Sequence, residues 1–397
     1  MSVPKIKLKP FLAILLLAAV ALGVFSYTRP LPLLQPQYQA VPPIAAQNVS
    51  LPWPDTGQAA IGAVGFGVLA INHSSQPVPM ASVAKIITAL AVLKQKPLAL
   101  GQQGPTITFD STDISYYQTY ASQGGSVAKV VDGETISEYQ ALQTMLLPSA
   151  NNVAESLSRW AYGSPEAYVT YANQFAKDLG MTQTTVADAS GFSPATTSTA
   201  RDLVALGQAA LGNPVLAQIV GQSQAAVPVA GEIMSTNWLL GSDGFVGIKT
   251  GNTDEAGGCY LFATSQTVGT QNVTIVGAIM GAPSLQAAVN GGQTLADAAK
   301  TSFSDTVAVK SGQVVGAYKL PWGGTVEAVA QNNLSAVTWR GTKITPLATL
   351  NPLKATTGAN SQAGAVYVSA GQKTTTVSVV IRQTIPKPPL EWRLLRF

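Results

Sequence analysis

Ala81-Ser82-Val83-Ala84-Lys85-Ile86-Ile87-Thr88-Ala89-Leu90 is the stretch around which the rest of the chain is read. Ser82 and Lys85 stand three apart, which on a helix places both side chains on one face, one turn apart. The apolar residues that follow, Ile86, Ile87, Ala89, Leu90, Val92 and Leu93, predict a buried helix. A hydroxyl needs a base within hydrogen-bond reach to attack a carbonyl at neutral pH. No histidine is local to this stretch, so the lysine amine is the candidate base.

The four letters alone decide little, because Ser126-Val127-Ala128-Lys129 repeats them. That copy follows Gly124-Gly125 and precedes Val130-Val131-Asp132-Gly133, a pattern that reads as a strand running into a turn. On a strand, positions i and i+3 face opposite ways. Ser82 is therefore the expected nucleophile.

The chain has 397 residues, enough for two or three domains. It is 46% hydrophobic and only 11% charged, so its surface must be polar through Ser, Thr, Asn and Gln. Lys5, Lys7, Lys9 and Arg29 are the only charges before Asp55, and without these four the basic residues equal the 19 acids. The net charge of +4 is thus an N-terminal feature and gives no electrostatic case for nucleic acid.

Lys5, Lys7 and Lys9 precede an apolar run over 11–25, the pattern of a secretory signal peptide or a signal-anchor helix. Residues 11–27 as a helix reach roughly 25 Å, slightly short of a bilayer core. Ala19-Val20-Ala21 resembles a cleavage site, but the apolar run continues through Leu22, Val24 and Phe25, which favours the anchor. In either case the lysines stay inside and the remainder is exported. Cys259 is the only cysteine, so no intramolecular disulfide exists, and it reads as a small buried hydrophobe.

The expected organisation is a membrane segment over 1–27, a proline-rich spacer over 28–54, a catalytic domain over 55–302, a small β-rich domain over 303–385 and a tail over 386–397. Residues 61–72 read as one or two core strands. Helices are expected over 136–147, with a capping box of Thr135 and Glu138, from Ser149-Ala150-Asn151-Asn152 after Pro148 to about Tyr162, and from Ser164-Pro165-Glu166 to Gly180. Thr199 and Asp202 open another over 203–211, and a last one covers 285–300. Strands are expected over 244–250, 259–264 and 273–280, and in the β domain over 306–310, 313–320, 325–330, 365–369 and 374–381. The tail is apolar with two arginines and reads either as a contact with a membrane surface or, being short for a stable amphipathic helix, as a loosely packed end.

Ser149-Ala150-Asn151 sits where one helix ends and the next begins, so its hydroxyl and carboxamide can project into a cleft. Lys249-Thr250-Gly251 ends an apolar strand, and its glycine lets another backbone or a ligand approach closely. Together with Ser82 and Lys85 these residues are an inventory for acyl transfer without histidine. Copies exist here too, at Ser235-Thr236-Asn237 and Lys310-Ser311-Gly312. The set 82, 149, 249 keeps helix, helix junction and strand in one domain, whereas the set 126, 235, 310 does not.

Ser82-x-x-Lys85, Ser149-x-Asn151 and Lys249-Thr250-Gly251 resemble the three motifs of the penicillin-recognising serine enzymes. Their surroundings are similar to the low-molecular-mass penicillin-binding proteins that act as D-alanyl-D-alanine carboxypeptidases. Leu146-Leu147-Pro148-Ser149-Ala150-Asn151-Asn152, Gly191-Phe192 and Ser198-Thr199-Ala200-Arg201-Asp202-Leu203 carry the likeness beyond the motifs. It covers roughly 59–302. Asn152 stands where Asp is frequent, and Asn252 where His or an aromatic residue is frequent.

The resemblance implies an α+β fold: a β-lactamase/transpeptidase-like catalytic domain of antiparallel sheet and helices, with a small C-terminal all-β domain. It implies that Ser82 attacks the penultimate D-alanine carbonyl of a peptidoglycan stem peptide while Lys85, as neutral amine, takes its proton. Ser149 would relay a proton to the leaving amine, and Asn151 would hold substrate amides and orient Lys85. Lys249, Thr250, Gly251 and Asn252 would bind substrate, with the terminal carboxylate on Lys249 and Thr250. The oxyanion would lie between the backbone N–H groups of Ser82 and Asn252. β-Lactams would acylate Ser82, and no cofactor or metal is expected. The place of action would be the extracytoplasmic face of a bacterial cytoplasmic membrane.

A β-lactamase needs a deacylating glutamate in a Glu-x-x-Leu-Asn loop, whereas Glu166 is followed by Ala167-Tyr168-Val169-Thr170. A D,D-endopeptidase acting on cross-links is the closer alternative. A cell-wall-binding protein with a dead site conflicts with three intact motifs. With His73 as the sole histidine, a histidine-based hydrolase or zinc peptidase lacks its residues.

Overall fold

The computed structural model describes residues 8–73 and 75–396, so Lys5 and Lys7 lie outside the described residues. The chain divides into two compact units, one of residues 47–304 with 337–341, the other of the residues up to 46 with 305–336 and those from 342 onward.

The first unit is built on a five-stranded antiparallel sheet in the order Phe245–Thr253, Gly257–Val268, Gln271–Ala282, Gln58–Ala63, Gly67–Asn72. Both faces of its central strands are covered, so the strands read as apolar runs and not as an alternation with polar residues. The period of two survives in where each side chain goes. Tyr260 and Phe262 enter one core with Ala288, Val289 and Leu295 of the helix Leu285–Lys300. Leu261 and Ala263 enter the other, with Leu203 and Val204 of the helix Ala200–Gly212.

On that second face lies a helical layer of Glu138–Leu146, Asn151–Tyr162 and Pro165–Asp178 around the helix Lys85–Gln95. Every residue from Lys85 to Leu93 is buried, as the apolar run predicts. The helix that follows Thr135 starts later than expected. Thr135–Ser137 is a short strand, and the capping box is Ser137 with Gln140, the same spacing moved on by two residues. Ser164 caps its helix with Pro165 in the first turn, and Thr199 accepts from the Asp202 N–H, as read from the sequence. Asp202 does not return the bond: its carboxylate accepts from the Gln183 N–H and the Thr184 hydroxyl, tying a neighbouring loop to the helix.

The expected strand over 126–129 does not form. Asn152 takes up the ladder's place. Its carboxamide accepts from the Ala128 N–H and donates to the Ala128 carbonyl, both at 3.0 Å. An aspartate can only accept, so asparagine is the residue that satisfies both backbone groups.

The second unit holds a six-stranded sheet in the order Pro36–Tyr38, Val314–Lys319, Thr325–Ala330, Lys373–Ile381, Gln362–Ala370, Leu347–Leu350. The proline-rich stretch over 28–54 is therefore no free spacer. Pro36–Tyr38 is an edge strand on Val314–Lys319, Leu34 bridges to Leu353 and is buried, and Leu51 and Trp53 pack into the first unit's core. Prolines confine the backbone to extended conformations, which an edge strand accepts because only one side pairs. The helix Leu8–Thr28 has 21 residues and is almost wholly exposed. It is about 30 Å long, enough to cross a bilayer core. The tail forms a short helix, Leu390–Leu395, whose Arg393 lies over the Tyr27 ring while Arg396 donates to the carbonyls of Ser26 and Pro30.

Candidate active site

Ser82 lies in a 3-10 turn, Ala81–Ala84, that runs into the helix Lys85–Gln95. In a 3-10 turn, side chains at i and i+3 eclipse. Lys85 Nζ stands 2.8 Å from Ser82 Oγ as a result. The same amine donates to Asn151 Oδ1 at 2.6 Å and to the Ser190 carbonyl at 2.9 Å. Lys85 is fully buried while Ser82 is partly exposed, so the amine lies deeper in the fold than the residue that carries the hydroxyl.

Three further segments hold this centre. Asn151 opens the helix Asn151–Tyr162, and its N–H donates to the Ser126 carbonyl at 2.8 Å. Ser149, two residues earlier, is buried and holds φ at 65°, a left-handed conformation that costs a non-glycine residue on the order of 1 kcal/mol. The Ala189–Ser190 segment is fixed by Thr88, one turn beyond Lys85, whose hydroxyl donates to the Ala189 carbonyl at 2.6 Å. Gly191 follows with φ 72°, and a Cβ there would stand 1.9 Å from the Ala81 carbonyl oxygen. Only glycine lets the loop lie this close to the Ser82 turn.

The strand Phe245–Thr253 supplies the remaining groups. A Cβ on Gly251 would lie 2.9 Å from the Ser82 nitrogen, so this strand passes directly against the Ser82 backbone. Lys249 and Thr250 are buried, and Asn252 is exposed just beyond Gly251. Lys249 Nζ donates to the Thr250 carbonyl at 2.9 Å and to Thr236 Oγ1 at 3.4 Å, and the hydroxyls of Thr236 and Thr250 are 2.6 Å apart.

Both amines are held toward neutrality. Burial, and then the charge of Lys249, push Lys85 well below the ordinary lysine range, while Asp188 and Glu155 oppose them. Burial pushes Lys249 down to about 7. A partly exposed hydroxyl, an amine behind it whose pKa burial lowers, and a second lysine on the adjoining strand thus stand together at this place in the fold.

Residues 61–284, a span that contains all three motifs, match the peptidase S11 family, described as D-alanyl-D-alanine carboxypeptidase. The chain belongs to this family. The S11 chain is 30% identical over 218 residues to a D-alanyl-D-alanine endopeptidase of Pseudomonas aeruginosa, covering 53% of this chain and 67% of that one. It is 31% identical over 206 residues to a D-alanyl-D-alanine carboxypeptidase of Mycobacterium tuberculosis, covering 50% and 66%. Among solved structures, penicillin binding protein 5 from Haemophilus influenzae shares the fold, with a TM-score of 0.60 at 16% identity over 86% of this chain and 100% of that one.

The S11 site also contains groups that the motifs did not point to. Thr236, from the second Ser-x-Asn copy, bonds Thr250 and Lys249. Ser126, from the second Ser-x-x-Lys copy, contributes its carbonyl to Asn151. Ser190 contributes its carbonyl to Lys85. Two of these act through the backbone, which side-chain motifs do not mark, and Thr236 lies inside a triplet that reads as a copy of the second motif. Glu166 is exposed in the first turn of Pro165–Asp178. His73 is likewise exposed.

Proposed function

We infer that this S11 peptidase hydrolyses the terminal D-alanyl-D-alanine bond of peptidoglycan stem peptides through an acyl-enzyme on Ser82. The observation that carries this reading is the set of partners of Lys85 Nζ. Asn151 Oδ1 and the Ser190 carbonyl are acceptors only, so they take two N–H bonds of the neutral amine and turn its lone pair toward the Ser82 hydroxyl.

Lys85 takes the Ser82 proton as Oγ bonds to the penultimate D-alanine carbonyl carbon. The oxyanion is received by the backbone N–H groups of Ser82 and Asn252. Lys249 and Thr250, with Gly251 leaving room beside Ser82, receive the terminal carboxylate, and its charge raises the Lys249 pKa again. Ser149 passes the proton to the leaving nitrogen, D-alanine departs, and water hydrolyses the ester. Penicillins carry a carboxylate beside a strained amide and acylate Ser82 by the same route. The helix Leu8–Thr28 anchors the chain in the cytoplasmic membrane, with residues 29–397 on its outer face.

The reading is tested by incubating the purified protein with a stem pentapeptide and with a cross-linked stem dimer. Release of one equivalent of free D-alanine from the pentapeptide is the expected result. Cleavage of the dimer with no release of D-alanine would instead establish the endopeptidase reading, which the activity named for the P. aeruginosa relative favours.

A further inference from the structure

Between the strand Gly231–Met234 and the strand Phe245–Thr253 runs a segment that touches two of the three motifs. The Thr236 N–H donates to the Leu147 carbonyl at 3.1 Å, just ahead of Pro148-Ser149. The Thr236 hydroxyl lies 2.6 Å from that of Thr250 and accepts from Lys249 Nζ at 3.4 Å. Asn237 fixes the segment. Its Oδ1 accepts from Tyr260 Oη at 2.9 Å, and Tyr260 is the residue paired with Thr250 across the sheet. Thr236 and Asn237 thus grip two neighbouring strands at one level, and Thr236 is partly exposed.

We propose that Thr236 is a positioning residue for substrate capture: its hydroxyl orients the Lys249 amine and leaves the Thr250 hydroxyl proton free for the carboxylate that ends the substrate. The proposal rests on the carboxypeptidase reading of the site. The direction of each bond follows from counting donors and acceptors. An ammonium has three N–H groups and accepts nothing. Lys249 gives one to the Thr250 carbonyl at 2.9 Å and one to Thr236 Oγ1, which leaves one for a ligand. Thr236 Oγ1 therefore accepts from the lysine and has its own proton to donate. Among the described residues the one further partner of that hydroxyl is Thr250 Oγ1, so the proton goes there. Thr250 Oγ1 then accepts from Thr236, and its own proton is free for another acceptor.

The chain of bonds from Lys249 through Thr236 to Thr250 starts at a cation, and hydrogen bonds in series polarise one another. The Thr250 hydroxyl at its end is a stronger donor than an isolated one, and its direction is set before a substrate arrives. With valine at 236 the Thr250 hydroxyl loses its orienting partner. One N–H of the buried Lys249 ammonium also loses its acceptor, which disfavours the charged form. Both effects weaken the hold on a carboxylate in the ground state and the transition state alike, so KM rises while kcat changes little. A substrate that ends in a neutral group is held by neither effect.

The test uses two peptides ending in D-alanyl-D-alanine, one with a free terminal carboxylate and one with a terminal carboxamide, and reads kcat/KM from release of D-alanine or D-alaninamide. The wild-type chain is expected to favour the carboxylate by about a hundredfold. Thr236→Val should narrow that preference to about tenfold, with the loss seen as a higher KM for the carboxylate peptide, and Thr236→Ala should match it. Thr236→Ser keeps the hydroxyl and should hold the preference within about threefold of wild type. The preference is a ratio taken on one sample, so the folded fraction cancels from it. A preference unchanged in Thr236→Val and Thr236→Ala, or narrowed equally in Thr236→Ser, would overturn the positioning role and leave the carboxypeptidase reading standing. Release from neither peptide by the wild-type chain would overturn that reading and the positioning role with it.

Discussion

Replacement of Lys85 by methionine is expected to slow penicillin acylation and D-alanine release by about 10³–10⁴-fold, the upper part of the range for loss of a general base. Methionine has a similar length and fills a fully buried position without strain on the helix. The loss therefore falls on chemistry more than on packing. Some stability is lost as well, because Asn151 Oδ1 and the Ser190 carbonyl are left without their donor, at about 1–3 kcal/mol for each orphaned group. Circular dichroism separates the two effects: the variant should stay folded at 25 °C while its acylation time course flattens. Arginine at this position should be as inactive as methionine, since a guanidinium keeps its proton. Acylation within tenfold of wild type in Lys85→Met would place the base elsewhere.

The second large effect concerns Lys249 and has a definite sign. Its pKa in the free site is held at about 7 by burial, below the ordinary lysine value of 10.5. The amine is charged below that pH and neutral above it, so capture of a substrate carboxylate is complete at low pH and fades as pH rises through about 7. Lys85 works in the opposite sense, because it must be neutral to act and its pKa lies well below the ordinary range. The profile of kcat/KM is therefore a bell, rising as Lys85 loses its proton and falling as Lys249 loses its own. In the kcat profile the descending limb moves to higher pH, because the bound carboxylate holds the Lys249 charge. Lys249→Ala should lose about 10²-fold or more in kcat/KM at pH 6, in line with removing one partner of a buried charge pair. Lys249→Arg should carry the descending limb upward beyond pH 9. A limb that stays near 7 in Lys249→Arg would assign it to another group.

Much of this was legible in the sequence. The buried helix after Ser82 announces itself by its apolar run, and the strand before Gly251 by its own. The helix starts at Ser164 and Thr199 are written in capping residues, which act locally. The proline-rich stretch reads as a spacer because extended backbone suits both a linker and an edge strand, and only the partner Val314–Lys319 decides. Helices at Ser111–Ser122 and Pro214–Val220 and strands at Leu334–Trp339 and Leu347–Leu350 were not expected. Ser111–Ser122 buries only Asp113 and so has no apolar stripe to reveal it.

In the site, the side chains at 82, 85, 151 and 249 could be selected from context. The carbonyls of Ser126 and Ser190 could not, because any residue type supplies a carbonyl and only the fold says where it points. Gly191 shows the same limit. Its need follows from the Ala81 carbonyl lying in its path, a contact across more than a hundred residues of chain.

The most direct measurement is the mass of the peptide carrying the adduct after brief exposure of the full chain to penicillin and proteolytic digestion. The expected result is one penicilloyl group, on the peptide that contains Ser82, and no adduct at all in Ser82→Ala. An adduct that persists in Ser82→Ala, or one found on the peptide bearing Ser126 or Ser149, would contradict Ser82 as the nucleophile.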